Sequence, residues 1–136
     1  MGAITHEDRG ETRMSRIAGF SRPWVLLRVE GAALLATSVL LYWVSGGSWL
    51  IFALLLLAPD LSMLGYIGGP QVGAALYNVF HVYPLPAVLG AFGLLGGNQV
   101  ALAVALIWFA HIGMDRLLGY GLKYPAGFEG AHLGRL

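Results

Sequence analysis

Along most of this chain apolar residues do not alternate with polar ones. They run on in blocks of about 20 residues, the length that crosses roughly 30 Å of hydrocarbon as an α-helix. The first block runs from about Trp24 to Val44 and stops at Ser45-Gly46-Gly47-Ser48. The second runs from Trp49 to about Tyr66 and stops at Gly68-Gly69-Pro70. The third runs from about Val72 to Leu95, stopping at Gly96-Gly97-Asn98, and the fourth from about Val100 to Leu118. Lipid offers no partners for bare backbone groups, so such blocks are helices. Connections this short make successive helices antiparallel. The pattern predicts an all-α fold, an integral membrane four-helix bundle with antiparallel up-down neighbours over residues 23–118. Residues 1–22 read as a mobile polar tail, and residues 119–136 as a separate C-terminal segment. The first block is longer than the apolar region of a cleaved signal peptide, and no clear A-x-A site follows it.

Charge sharpens this picture. Of 136 residues, 57% are hydrophobic and 11% charged, less than half the charge of an ordinary soluble domain. Between Gly31 and Met114 the only Asp, Glu, Lys or Arg is Asp60. Disorder is excluded by the high hydrophobicity. Nucleic acid is excluded as a partner, because eight Lys+Arg against seven Asp+Glu leave no basic face. With no cysteine there is no disulfide framework, thiolate site or Cys nucleophile. Arg9, Arg13, Arg16, Arg22 and Arg28 precede or open the first block, and Arg116, Lys123 and Arg135 close or follow the fourth. The Ser45–Ser48 and Gly96–Gln99 loops carry no basic residue, so both termini are expected in the cytoplasm. Trp24, Tyr42, Trp43, Trp49 and Tyr66 fall near the span edges as an aromatic belt, whereas Trp108 sits inside the fourth block and reads as packing.

The few polar residues share one depth. Glu30, Asp60 and Asn78 each lie about six residues from the cytoplasmic end of their block, roughly 9 Å in at 1.5 Å per residue. His81 lies roughly 14 Å in, His111 roughly 10 Å and Asp115 roughly 5 Å. Ionisable groups inside a membrane face the bundle interior and pair with one another. Asn78 and His81 are i, i+3 and His111 and Asp115 are i, i+4, so each pair shares a helix face. Imidazole and carboxylate together suit Zn, Mn or Fe. Gly113 beside them permits close helix approach. Pro84 and Pro86 strip the carbonyls of Phe80 and Val82 of their helical donors and predict a kink next to the polar layer. The same residues also have structural readings: a cross-helix histidine hydrogen bond, a common membrane-helix kink, or buried Asp60–Arg116 and Glu30–Arg28 ion pairs that fix helix order. The aromatic C-terminal segment is expected to fold back over the cytoplasmic mouth, bringing Tyr120, Lys123 and His132 to the polar layer.

From about Trp24 onward the chain resembles a family of small bacterial four-helix membrane proteins known only as a domain of unknown function. The resemblance rests on Leu27-Arg28-Val29-Glu30-Gly31, Pro59-Asp60-Leu61-Ser62-Met63-Leu64-Gly65-Tyr66, Tyr77-Asn78-Val79-Phe80-His81, His111-Ile112-Gly113-Met114-Asp115-Arg116 and the closing His132-Leu133-Gly134-Arg135. It implies a multi-pass protein of the bacterial inner membrane and brings no activity. More loosely, Pro59-Asp60, a His on the next helix and His111-x-x-x-Asp115 are similar to inner-membrane metal-dependent hydrolases. That likeness implies Asp60, His81, His111 and Asp115 as metal ligands. The His-Arg-Gly-x-Thr-His-Ser run of those hydrolases is replaced here by Asn78 and His81.

Four functions compete at this point. The first is a metal-dependent hydrolase acting on a lipid-like or small anionic substrate. In it Glu30 is the general base, Arg116 and Lys123 hold an anionic headgroup, and Asn78, Tyr120 and His132 line the site. The second is a haem or electron-transfer protein ligated by His81 and His111. A small transporter or proton relay is the third, and at this size it would assemble as a homo-oligomer. The last is a structural membrane subunit.

Overall fold

Proline fixes where most of these helices start. Its ring presets the backbone angle of a first helical turn, and the amide proton it lacks is one that turn cannot use. In the computed structural model, which describes residues 22–121, Pro23, Pro70 and Pro84 open α1 (Pro23–Val44), α3 (Pro70–Phe80) and α4 (Pro84–Leu95). α2 (Trp49–Leu56) follows Ser48. α5 (Gln99–Leu118) is capped by Asn98, whose Oδ1 accepts from the Ala101 N–H at 3.0 Å. A 3₁₀ run, Ala58–Gly68, joins α2 to α3. Four spans result, Pro23–Val44, Trp49–Gly68, Pro70–Leu95 and Gln99–Leu118, each long and apolar enough to cross a bilayer. Over the described residues the fold is an all-α membrane four-helix bundle.

Two of the spans are broken. Pro59 offers no N–H to the Leu55 carbonyl, so α2 stops, and the Asp60 N–H turns back three residues to the Leu57 carbonyl at 3.1 Å. The tighter winding then persists for 11 residues, where runs beyond about four are uncommon. At about 2.0 Å of rise per residue it spans roughly 22 Å, against roughly 16 Å as α-helix. The third span breaks at His81–Tyr83, where the prolines predict it. The His81 N–H bonds the Asn78 carbonyl at 3.1 Å and the helix restarts at Pro84.

α5 is unbroken and central, packing on α1, α4 and α2. It meets α1 where Gly31 faces Gly113: a Cβ on Gly113 would lie 2.7 Å from the Leu35 nitrogen and 2.8 Å from the Gly31 carbonyl. Small residues there let two backbones touch. The 3₁₀ run and α3 form a hairpin turned at Gly69, whose φ of 107° suits glycine. The two arms pack chiefly on each other, Tyr66 lying over Gly73 and Leu76 against Gly65, and their backbones approach α5 only sparsely. Tyr42, expected in the aromatic belt, turns inward. It is 1% exposed, packs on Leu106 and Ile107, and donates its hydroxyl to the Ser48 carbonyl at 2.7 Å. Trp43 and Trp49 stay on the outer surface.

Candidate metal centre

Each break in a span delivers one ligand-type side chain, and the unbroken helix delivers two. Asp60 sits where α2 gives way to the 3₁₀ run, and His81 caps the end of α3. His111 and Asp115 project from one face of α5, a turn apart. Their donor atoms meet. His81 Nε2 and His111 Nε2 are 3.0 Å apart. Asp115 Oδ2 is 3.3 Å from each of those nitrogens. Asp60 Oδ1 is 3.5 Å from His81 Nε2 and 3.4 Å from His111 Nε2. All four donor atoms lie within 4.8 Å of one another.

These separations have a geometric meaning. A regular tetrahedron with metal–ligand bonds of roughly 2.0–2.1 Å has edges of roughly 3.3–3.4 Å. Five of the six edges here fall between 3.0 and 3.5 Å. Every atom facing the centre is one that can offer a lone pair. His81, His111 and Asp115 are buried, while the Asp60 side chain is 39% exposed, so the group has one open side.

Neighbouring groups hold the rings. His81 Nδ1 donates to the Tyr77 carbonyl at 2.7 Å, which places its proton there and turns Nε2 to the centre. The Tyr77 ring stacks on the His81 ring at 3.7 Å, and its hydroxyl donates to Asp115 Oδ2 at 3.3 Å. The Leu56 carbonyl loses its helical donor when Asp60 turns to Leu57, and it interacts with the His111 ring. His111 Nδ1 itself makes no hydrogen bond of regular geometry among the described residues.

Two carbonyls freed by the second break are also met. Trp108 Nε1 donates to the Phe80 carbonyl at 2.7 Å, the group that Pro84 deprives of its helical partner. Arg116 Nη2 donates to the His81 carbonyl at 3.4 Å, with its guanidinium 5.5 Å from the centre of the Tyr83 ring. Arg116 is buried in this role and forms no ion pair with Asp60. Arg28 does not pair with Glu30; its Nε donates to the Leu117 carbonyl at 2.8 Å, a cation on a helix C-terminus.

The model of a family described as a domain of unknown function (DUF4260) matches residues 24–136. The chain belongs to that family. Comparison with curated proteins and with solved structures gives no match. The DUF4260 match spans all four membrane segments and every member of the Asp/His group.

The remaining sequence expectations divide within this DUF4260 fold. Asn78 is half-buried beside the group and its carbonyl receives the His81 N–H. Glu30 is exposed on α1, one residue round from the Gly31 that faces α5, and stands apart from the four donors. The Tyr120 side chain is also exposed, but its N–H closes the end of α5 on the Asp115 carbonyl at 2.7 Å while Gly119, at φ 94°, bonds Arg116. That is a Schellman motif, and it anchors the turn carrying Asp115. Lys123, His132 and the expected fold-back of residues 122–136 lie outside the described residues, as does the tail before Arg22. Sequence reading overlooked Tyr77 and the role of Trp108. Tyr77 was detectable as the residue four before His81 on the same face. The need for Trp108 was detectable as the carbonyl four residues before Pro84.

Proposed function

We propose that this protein is a membrane-embedded metalloprotein of hydrolytic type, with one divalent ion held by Asp60, His81, His111 and Asp115. The spacing of the two imidazole nitrogens and two carboxylate oxygens, with five of six separations close to a tetrahedral edge, carries the reading. Among Zn, Mn and Fe, a near-tetrahedral N₂O₂ set favours Zn. A haem fits the spacing less well, since axial histidines stand on opposite faces of a porphyrin and these Nε2 atoms are 3.0 Å apart.

Asp60 is the ligand that gives the site chemistry. An ion held by these four residues would lower the pKa of a bound water towards about 7, and Asp60, the exposed member, is the ligand that would give way to that water. The displaced Asp60 carboxylate would take its proton; Glu30 lies apart from the donors and is not needed as base. The water oxygen then bonds to the carbonyl carbon or phosphorus of an ester. The bond to the leaving oxygen breaks, and the proton passes from Asp60 to that oxygen. The basic residues flanking the first and fourth spans support a reading in which this end of the bundle faces the cytoplasm. A lipid-like or small anionic substrate would reach the site there.

Metal analysis of the purified protein tests the proposal. One zinc per chain is expected, lost in His111→Ala and Asp115→Ala. Metal content well below one per chain after zinc loading, unchanged in Asp115→Ala, would overturn it.

A further inference from the structure

An apolar cleft of about 200 Å³ opens beside the four donors, on the side where the second span breaks. Ala58 and Pro59, the two residues before Asp60, form one wall. Phe80, the residue before His81, forms another, and Ile107 and Trp108, one helical turn from His111, form the floor. Its one polar side-chain group, the Trp108 indole N–H, is already given to the Phe80 carbonyl. Its lining is almost wholly apolar and offers water few of the two or more polar partners it needs.

We infer that this cleft receives one hydrocarbon chain of an amphiphile whose oxygen-bearing head sits at the Asp60 side of the metal centre. Three observations converge on that occupant. The cleft lies within membrane-spanning segments, so what surrounds it is lipid. It shares the Ala58–Asp60 backbone with the open edge of the donor group, so a molecule in the cleft has its end next to the ion. An apolar cavity of about 150 Å³ accepts benzene, so this volume holds on the order of six to eight carbons. The substrate class is therefore a single-chain lipid ester or the acyl arm of a larger lipid, entering sideways from the bilayer. This rests on the metal reading for its polar end and on the cleft alone for its chain.

The probe is an eight-carbon alkyl hydroxamate, which ligates zinc through its two oxygens, carrying a diazirine on its last carbon. It is irradiated with zinc-loaded protein in phosphatidylcholine nanodiscs and the crosslinks are mapped by mass spectrometry. Labelling concentrated on Leu55, Val104 or Trp108 is expected, with at least a tenfold drop in Val104→Phe, whose ring fills the cleft. Acetohydroxamate, which has no chain, should bind both proteins equally. Labelling spread over outward residues such as Leu50 and Leu95 overturns the inference while zinc content and acetohydroxamate binding leave the metal centre standing. Absence of stoichiometric zinc overturns both.

Discussion

The isosteric change Asp60→Asn separates a metal centre from a network of imidazolium–carboxylate pairs, because the two predict opposite signs. The substitution keeps the shape of the side chain and removes its charge. In a metal site emptied by chelation, and at a pH high enough to keep both imidazoles neutral, the Asp60 and Asp115 carboxylates face each other within 4.8 Å. Two unit charges at that distance repel by about 3.5 kcal/mol at an effective permittivity near 20. The Asp60 side chain is 39% exposed, and solvent screening leaves about 2 kcal/mol of this. Metal-free Asp60→Asn should therefore melt at or above metal-free wild type, by up to roughly 8–16 °C for a unit of about 100 residues. Zinc reverses the order. At a free concentration of about 100 Kd it adds about 2.7 kcal/mol to the wild type. Apparent zinc binding of about 10–16 kcal/mol shared over four ligands assigns about 2.5–4 kcal/mol to each. The variant should then bind zinc about a hundredfold to a thousandfold more weakly. Thermal melts in one detergent, with chelator and with buffered zinc, read both effects. If chelated Asp60→Asn melts several degrees below chelated wild type, and zinc moves neither protein, the group is a structural ion-pair network and the metal reading is wrong.

Three further outcomes follow from contacts around the site. Trp108→Phe keeps the ring on Phe80 but strands the Phe80 carbonyl, and should lower stability by about 1–3 kcal/mol; an unchanged melt would mean that another donor meets that carbonyl. Gly113→Ala places a Cβ 2.7 Å from the Leu35 nitrogen, so α1 and α5 must part, at a cost of about 1–3 kcal/mol. Loss of melting temperature in that variant, absent in the outward-facing Leu118→Ala, checks the crossing. Tyr77→Phe removes the hydroxyl that Asp115 accepts and should weaken zinc binding about 10–100-fold; stoichiometry at saturating zinc should stay at one. Zinc titration against a fluorescent competitor measures it, and an unaltered affinity would show that the hydroxyl does not orient Asp115.

The spans were legible because charge is so scarce: with Asp60 alone between Gly31 and Met114, almost any division at the glycine turns finds the same four helices. The height of the polar residues was legible for the same reason, since counting residues from a span edge measures depth. Direction was not. Glu30 and Gly31 share a depth within 1.5 Å, yet successive residues point about 100° apart, and it is Gly31 that close packing requires against α5. The same turn of the helix put Tyr77, rather than Asn78, against the His81 ring. The long 3₁₀ run left no trace in hydropathy, because winding changes without any change in residue type; Pro59 marks where it starts, not how far it continues. Lone pairs meeting at tetrahedral spacing is a statement about distances between three segments remote in sequence, which spacing along the chain cannot express.

The sparse backbone contact between the Ala58–Phe80 hairpin and α5 gives the site a second consequence. Asp60 and His81 meeting His111 and Asp115, together with Trp108 and Arg116, fasten that arm to the core. An ion bound at their centre would act as a rivet through two sections of the molecule. Occupancy and outline would then be linked: withdrawing the rivet would loosen a flap of the protein within the bilayer, and whatever altered the flap would alter the grip on the ion.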